Sequence, residues 1–354
     1  MIMDLNFQIR KLYEILNREL EYFPRDEKFY PIREIISKFK TNRRVADGAL
    51  ARMEEEGLLR KIPRVGYFSN VNRCSPVKNI LLLKVDYPSN FWSEWQEHLQ
   101  KAFDASGRFR MQQQLFAYDR PVFQNFNAGI YDAVLVMQGA VPLQHREMQE
   151  LGSLTLPLVL LDCNAGLLSV SSVCSDHYQG GMLSADHLIR KGHKRIIIIN
   201  SEPDTENITA RKNGFLSYAR LQGVEPVLLD CHTRSGEKGS IKSYRLLSEY
   251  LEKNGHDFSA LALLCESCVS GVYAALQDHN LRVPEDVSVI GYDGVCDGEL
   301  CRPALTTVSN DFDRMAQEVI KGLDGVFHSG KPFNPIVPMS VIERNSIKDL
   351  TNLK

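Results

Sequence analysis

The chain has 354 residues, of which 44% are hydrophobic and 24% charged, with a net charge of −2. That is a soluble globular composition, long enough for two or three domains, and it excludes a membrane bundle because no apolar run approaches the roughly 20 residues a spanning helix needs. The charge is uneven: residues 1–73 hold 15 Lys and Arg against 11 Asp and Glu, and the rest hold 27 against 33, so a mildly basic head precedes an acidic body. The start, Met-Ile-Met-Asp-Leu-Asn, lacks a charged segment followed by an apolar core, and the eight cysteines form no short-range framework. Both features fit a reduced, cytoplasmic protein.

In the head, Leu5, Ile9, Leu12, Ile15, Leu16 and Leu20 have the spacing of an amphipathic helix. A second helix is expected over Ile32 to Phe39, with Pro31 at its start. Thr41 or Asn42 can cap a third, running to about Glu56 and ended by Gly57, with Val45, Ala49, Leu50 and Met53 as its apolar face. Leu58 to Ser69 then alternates loosely and turns near Arg64-Val65-Gly66, as a hairpin does. A helix, a turn and a second helix with a basic start is a DNA-reading arrangement, in which the second helix brings its N-terminal residues to base edges. Those residues are Thr41, Asn42, Arg43 and Arg44, and Arg is well suited to bidentate contact with guanine. Arg60, Lys61 and Arg64 on the hairpin are placed to reach phosphates or the adjacent minor groove. A solvated basic helix on a protein-binding module is the competing reading.

Ser69 to Lys78 is polar, contains Pro76 and reads as a linker. Apolar strand-like runs follow at Ile80–Val85, Ala133–Met137, Leu158–Leu161, Ile196–Ile199, Val227–Leu229, Leu261–Leu264 and Val287–Ile290. Helical stretches lie between most of them, among them Gly181–Arg190, Arg211–Leu221, Tyr244–Leu251 and Val269–His279. This alternation predicts an α/β body of parallel sheets covered on both faces, in two lobes. The expected organisation is a head at 1–70, a linker at 71–78 and a body at 79–354. Lobe 1 is expected over about 79–174 and 306–333, and lobe 2 over about 175–305 and 334–350.

The head resembles the GntR-type winged helix-turn-helix. The resemblance rests on Tyr30-Pro31, Ala49-Leu50, Met53-Glu54-Glu55-Glu56-Gly57-Leu58-Leu59 and Gly66-Tyr67-Phe68, whose glycine and aromatic match the end of the family's wing. Arg43 falls on the arginine that follows the family's capping Ser, here Asn42. The chain departs from the family at Pro31-Ile32-Arg33-Glu34, one residue short, and at Asp47 and Gly48. Gly48 is expected to weaken its helix by about 1 kcal/mol relative to Ala.

The body resembles the effector domain of LacI/GalR-type regulators, related to periplasmic sugar-binding proteins. Three stretches carry this: Ser175-Asp176-His177-Tyr178-Gln179-Gly180-Gly181 through His193-Lys194-Arg195-Ile196, Arg282-Val283-Pro284-Glu285-Asp286-Val287 through Asp293, and Pro303-Ala304-Leu305-Thr306-Thr307-Val308. A GntR-type head on such a body resembles the arabinose-repressor architecture. The resemblance implies that Asp162, Arg211 and Asp293 contact sugar hydroxyls and that Phe91 and Trp92 line the sugar face. Independently, a polyol needs convergent carboxylates and an Arg fork between apolar walls, and all three charged residues lie near strand C-termini or helix N-termini, where α/β clefts bind ligands. Many relatives have Asn-Asp where this chain has Cys265-Glu266, which changes the expected selectivity.

The chain is therefore expected to be a homodimeric, ligand-responsive repressor with double-stranded operator DNA and a sugar-like effector as partners, and with no membrane, metal or cofactor. The rival is a sugar- or nucleotide-metabolising α/β enzyme; no G-x-G-x-x-G follows a strand, and no Walker loop or G-x-S-x-G elbow occurs. A secreted sugar-binding protein is a third reading. The Cys265–Cys268 spacing lacks a second ligand pair and reads as a pair of buried thiols at a helix start.

Overall fold

The structure, a computed structural model, describes residues 5–20, 23–71, 77–87, 89–117, 128–137, 149, 153, 156–163, 170–234 and 236–351. It divides into two units, Met1–Val77 and Lys78–Lys354. Most of the expected linker, residues 72–76, lies outside the described residues.

The first unit is built from α1 (Leu5–Glu19), α2 (Ile32–Lys38), α3 (Arg43–Glu55), β1 (Leu59–Ile62) and β2 (Gly66–Ser69). Asn42 caps α3 by accepting from Val45 N at 3.0 Å, and Gly57 ends it at φ 71°, a left-handed conformation that costs glycine no Cβ clash. The apolar stripes meet in one core of Leu12, Leu16, Ile35, Val45, Leu50, Met53, Leu59 and Tyr67. Each such large side chain contributes about 1.5–3 kcal/mol by leaving water. β1 and β2 pair antiparallel, Leu59 opposite Ser69 and Ile62 opposite Gly66. Lys28 forms an isolated antiparallel bridge to Phe68, which local pattern did not reveal. Gly48 lies under Ile9, where a Cβ would stand 2.6 Å from Ile9 Cδ1. Its helix cost is thus the condition for close approach of α1.

The second unit contains two six-stranded sheets. In the first, β3 (Lys78–Val85), β4 (Phe109–Phe116), β5 (Ala133–Met137), β6 (Leu158–Leu161), β7 (Ser171–Ser175) and β13 (Ile336–Val337) run parallel in the order β13-β7-β6-β5-β3-β4. Helices α4 (Asn90–Ser106) and α10 (Phe312–Ser329) contribute to its core. The second sheet contains β8 (Ile196–Asn200), β9 (Val227–Asp230), β10 (Ala260–Leu263), β11 (Ser288–Asp293), β12 (Thr306–Ser309) and β14 (Ser340–Ile342), ordered β14-β12-β11-β10-β8-β9. Only β14 is antiparallel to its neighbour. Successive side chains of a strand point to opposite faces. Ile197, Ile199, Leu261 and Leu263 accordingly pack with α7 (Gly239–Asn254) and α8 (Val269–Asp278). Ile196, Ile198, Ala262 and Ile290 pack with α5 (His177–Arg190) and α6 (Glu206–Leu221). Burial on both faces is why these strands read as unbroken apolar runs. α9 (Cys296–Leu300) follows β11.

The lobe boundaries need correction. Thr306–Ser309 was expected in lobe 1, yet β12 pairs with β11 from Ile290 opposite Thr306 to Asp293 opposite Ser309. Residues 334–350 were expected in lobe 2, yet β13 pairs with β7, Ile336 opposite Cys174. The chain therefore crosses after Ser175, after Ser309 and after Val337. Local pattern cannot locate such crossings because strands on both sides are equally buried.

Candidate functional site

On the head, Arg43 and Arg44 are exposed on the first turn of α3. Asn42 accepts in the cap through Oδ1, so its amide is what remains for an outside contact. Thr41 is half-buried beside it. Arg43 Nε stands 3.6 Å from Asp47, and Arg60 bonds Asp26 at 2.8 Å. Such exposed pairs are worth about 0–1 kcal/mol and yield readily to phosphate. Lys61 is exposed with its ammonium 5.4 Å from the Tyr67 ring. Ile62 to Val65 form the hairpin turn, closed by Val65 N donating to Ile62 O at 3.1 Å. Pro63 supplies its second position and Arg64, at φ 65°, its third, the pattern of a type II turn. Gly66, at φ 137°, lets the chain leave it.

In the body, Asp162, Arg211 and Asp293 come together although 131 positions separate the first and last. Asp162 follows β6 with φ 57°, and Asp293 ends β11 with φ 122°. Two non-glycine residues in the left-handed region mark backbone held against local preference, which is common at binding sites. Arg211 was expected to begin its helix. It lies instead in the second turn of α6, because Thr205 caps the helix earlier by accepting from Ile208 N. It is only 5% exposed, which rules out a surface cation. Its Nη1 stands 2.9 Å from Asp293 Oδ1 and donates to Leu264 O at 2.7 Å, and its guanidinium lies 4.1 Å from the Tyr292 ring centre. Arg211 Nε has no hydrogen-bond partner among the described residues.

Two glycines hold Arg211 in this place. A Cβ on Gly181 would stand 2.0 Å from Arg211 O, and one on Gly214 2.0 Å from Tyr178 O. α5 and α6 therefore meet backbone to backbone.

Asp162 has two partners that the sequence reading did not select. His177 Nε2 lies 2.9 Å from Asp162 Oδ1, and Asn207 Nδ2 donates to both the backbone oxygen and Oδ2 of Asp162 at 2.8 Å. Burial would raise the Asp162 carboxyl, but His177, Arg211 and Asn207 outweigh it and hold the carboxyl below its ordinary range. His177 stands immediately past the crossing at Ser175, within the Ser175-to-Gly181 stretch of the body's resemblance. Asn207 lies in a helix start without any local signal.

The remaining candidates divide. Cys265 Sγ lies 3.1 Å from Asp293 Oδ2 and steadies that carboxylate. Glu266 is only 2% exposed, and its Oε1 accepts from Gly294 N at 3.0 Å and from Thr307 Oγ1. Through Oε1 it ties the end of β10 to β11 and β12, while its Oε2 is buried without a hydrogen-bond partner among the described residues. Burial pushes its carboxyl up to about 7. Glu202, whose Oε1 accepts from Ser267 Oγ at 2.5 Å, is a further carboxyl raised by burial. Trp92 is 7% exposed and stacks on Trp95 with centroids 6.0 Å apart. It packs within the lobe-1 core, where α4 turns it inward. Phe91 is half-buried, 5.6 Å from Phe312 between ring centres. Among the described residues, Asp162, Cys174 and His177 form the one cluster of three potential metal donors.

Two buried carboxylates and a buried guanidinium between two parallel sheets can accept from paired hydroxyls and donate to ring or carboxyl oxygens. No described helix is long and apolar enough to cross a membrane.

Residues 185–347 match the family of periplasmic binding protein-like domains. The chain is 27% identical to the HTH-type transcriptional repressor PurR of Erwinia tasmaniensis over 62% of this chain and 64% of that protein, so it spans less than two thirds of that relative. It is 25% identical to the arabinose metabolism transcriptional repressor of Geobacillus stearothermophilus over 92% of this chain and 93% of that protein. A LacI family transcriptional regulator from Enterococcus faecium, solved with bound ribose, superposes with a TM-score of 0.64 at 22% identity, covering 77% of this chain and all of that one. The body has the two-lobed periplasmic-binding-protein-like α/β fold.

Proposed function

We propose that this protein is a ligand-responsive transcriptional regulator of the LacI/GalR type, a repressor whose operator affinity is set by a sugar or related polar metabolite. The observation that carries this reading is the convergence of Asp162, Arg211 and Asp293 inside a periplasmic-binding-protein-like body. Arg211 Nε, buried without an acceptor among the described residues, is the group a ligand oxygen would satisfy. The relatives are repressors by name, one for arabinose metabolism and two thirds or less of another matched, and one structural neighbour holds ribose. Phe91, Asp162, Arg211, Cys265 and Asp293 form or steady the effector site, with His177 and Asn207 fixing Asp162.

The head binds double-stranded operator DNA as a GntR-type winged helix-turn-helix. The first turn of α3 enters the major groove with Thr41, Asn42, Arg43 and Arg44, while Arg60, Lys61, Arg64 and Gly66 belong to the wing. The antiparallel hairpin after α3 supports this reading. The LacI-family relatives favour a second one, a LacI-type head without a wing, but the domain match at 185–347 does not reach the head. The regulator acts as a homodimer on two half-sites. Ligand acts only through its different affinities for the two states.

The test is fluorescence anisotropy of the purified protein on DNA from upstream of its own gene, with and without a panel of pentoses, hexoses, sugar acids and nucleosides. One compound should shift operator affinity at least tenfold. Absence of sequence-preferring DNA binding, or turnover of a panel compound, would return the choice to an α/β enzyme.

A further inference from the structure

We propose that Asp162, Cys174 and His177 form a binding site for a thiophilic divalent cation, Zn2+ being the best match, at the crossing between the two lobes. The three side chains offer one carboxylate oxygen, one sulfur and one ring nitrogen, all within 4.8 Å of one another. In a tetrahedral zinc site, bond lengths of about 2.0–2.3 Å place ligand atoms roughly 3.3–3.8 Å apart. Asp162 Oδ1 and His177 Nε2, now 2.9 Å apart, need to separate by about half an ångström, and the sulfur needs to move inward by about 1 Å or less.

Charge and support both favour the cation. Once the ion is bound, an Asp162 carboxylate and a Cys174 thiolate carry two negative charges, which balance a divalent cation in a buried place. As the metal binds, the Cys174 sulfur gives its proton, now donated to Ser175 O, to solvent, and the proton between His177 Nε2 and Asp162 Oδ1 leaves Nε2 for solvent or for Nδ1; no oxidant or reductant enters. A thiolate with an imidazole selects Zn2+ or Co2+ over Mg2+ and Ca2+, which take oxygen ligands. Metal ligands are normally held by an outer layer of hydrogen bonds. Here Asn207 already donates to Asp162 Oδ2 at 2.8 Å, and His177 Nδ1 lies 3.4 Å from the Tyr292 hydroxyl. Three protein ligands leave the fourth position for water or another oxygen.

The ligands straddle a crossing: Asp162 follows β6, Cys174 lies in β7 of the first sheet, and His177 begins α5 of the second. An ion there clamps the junction. If Asp162 also contacts the effector, which rests on the proposed function, Zn2+ and effector compete for it.

The experiment titrates Co2+ into metal-free full-length protein, without DNA or effector, so that its outcome is independent of the regulatory reading. One equivalent should give a near-ultraviolet thiolate-to-cobalt band with visible tetrahedral bands, displaced by Zn2+. Cys174→Ser and Cys174→Ala should abolish the near-ultraviolet band, and His177→Gln should weaken binding at least tenfold. Cys268→Ser should leave the spectrum unchanged, and circular dichroism without metal checks each variant's fold. Absence of the band at one equivalent in the parent protein overturns the site. So does a band that survives in a folded position-174 variant or disappears in Cys268→Ser. Should neither position-174 variant fold, an unchanged titration of His177→Gln overturns it.

Discussion

Arg211 Nη1 stands 2.9 Å from Asp293 Oδ1, a pair 82 residues apart in sequence and buried on both sides. Burial works against both charges, and the pair persists because each answers the other while Leu264 O accepts from Arg211 and the Cys265 thiol donates to Asp293 Oδ2. Arg211→Ala should leave Asp293 without its cation and remove the ligand's donor. The expected result is a tenfold to hundredfold loss of ligand affinity, about 1.5–3 kcal/mol, with operator affinity nearly unchanged. Titration of effector into the protein–operator complex reads both quantities. A variant responding at the parent's ligand concentration would contradict the assignment.

Glu266 makes stability depend on pH. Its folded pKa, about 7, lies above the ordinary value of 4.5 because burial disfavours the charged form. The sign follows: its contribution is full below about pH 4.5 and is lost as pH rises through 7. The difference amounts to roughly 3 kcal/mol. Glu266→Gln keeps an oxygen for Gly294 N and Thr307 Oγ1 but cannot ionise. Urea melts of parent and variant at pH 5 and pH 8 should show the variant gaining on the parent by a few kcal/mol at the higher pH. An equal difference at both pH values would mean that Glu266 does not titrate there.

Gly181→Ala places a methyl 2.0 Å from Arg211 O. Backbone must move to admit it, so α5 and α6 separate and carry Arg211 with them. A loss of about 2–4 kcal/mol is expected, within the range for overpacked cores and beyond the gain in helix propensity. Thermal melts of the parent and the variant measure it. Gly325→Ala, where a Cβ meets nothing within 4 Å, should be neutral or stabilising.

The head's basic groups should separate by salt dependence. Arg43→Ala should cost about 1–3 kcal/mol and relax preference at one base pair if Arg43 reads a base. Lys61→Ala should weaken all sequences alike and lower the salt slope by about one if Lys61 meets phosphate. Affinity measured on operator and scrambled DNA at several salt concentrations distinguishes them. Unchanged slopes and affinities in both variants would remove the winged docking geometry.

Sequence alone determined most elements with a strong local period. Leu12, Leu16, Leu50 and Met53 lie on helical stripes, and the run Ile196–Ile199 between turn signals reads as a strand buried on both faces. Capping chemistry, which acts over a few residues, placed the ends of α3 at Thr41 or Asn42 and at Gly57; the structure chooses Asn42. The charged trio was legible as candidates through the resemblance of the body and through the expected placement near strand ends and helix starts, where α/β folds bind; that placement holds for Asp162 and Asp293, while Arg211 lies in the second turn of α6. Tertiary structure alone decided the rest. Trp92 and Phe91 are adjacent, yet only helix rotation sends Trp92 into the core. Glu266 and Asp162 are both carboxylates after apolar strands, but Thr307 and Gly294 hold the first inside the lobe, while His177 and Asn207 hold the second at the crossing. The assignment of β12 and β13 to their sheets was equally hidden. Burial pattern records that a strand has two covered faces, and contains nothing about which sheet covers them; that is settled only when the chain crosses at Ser175, Ser309 and Val337 and distant hydrogen bonds close.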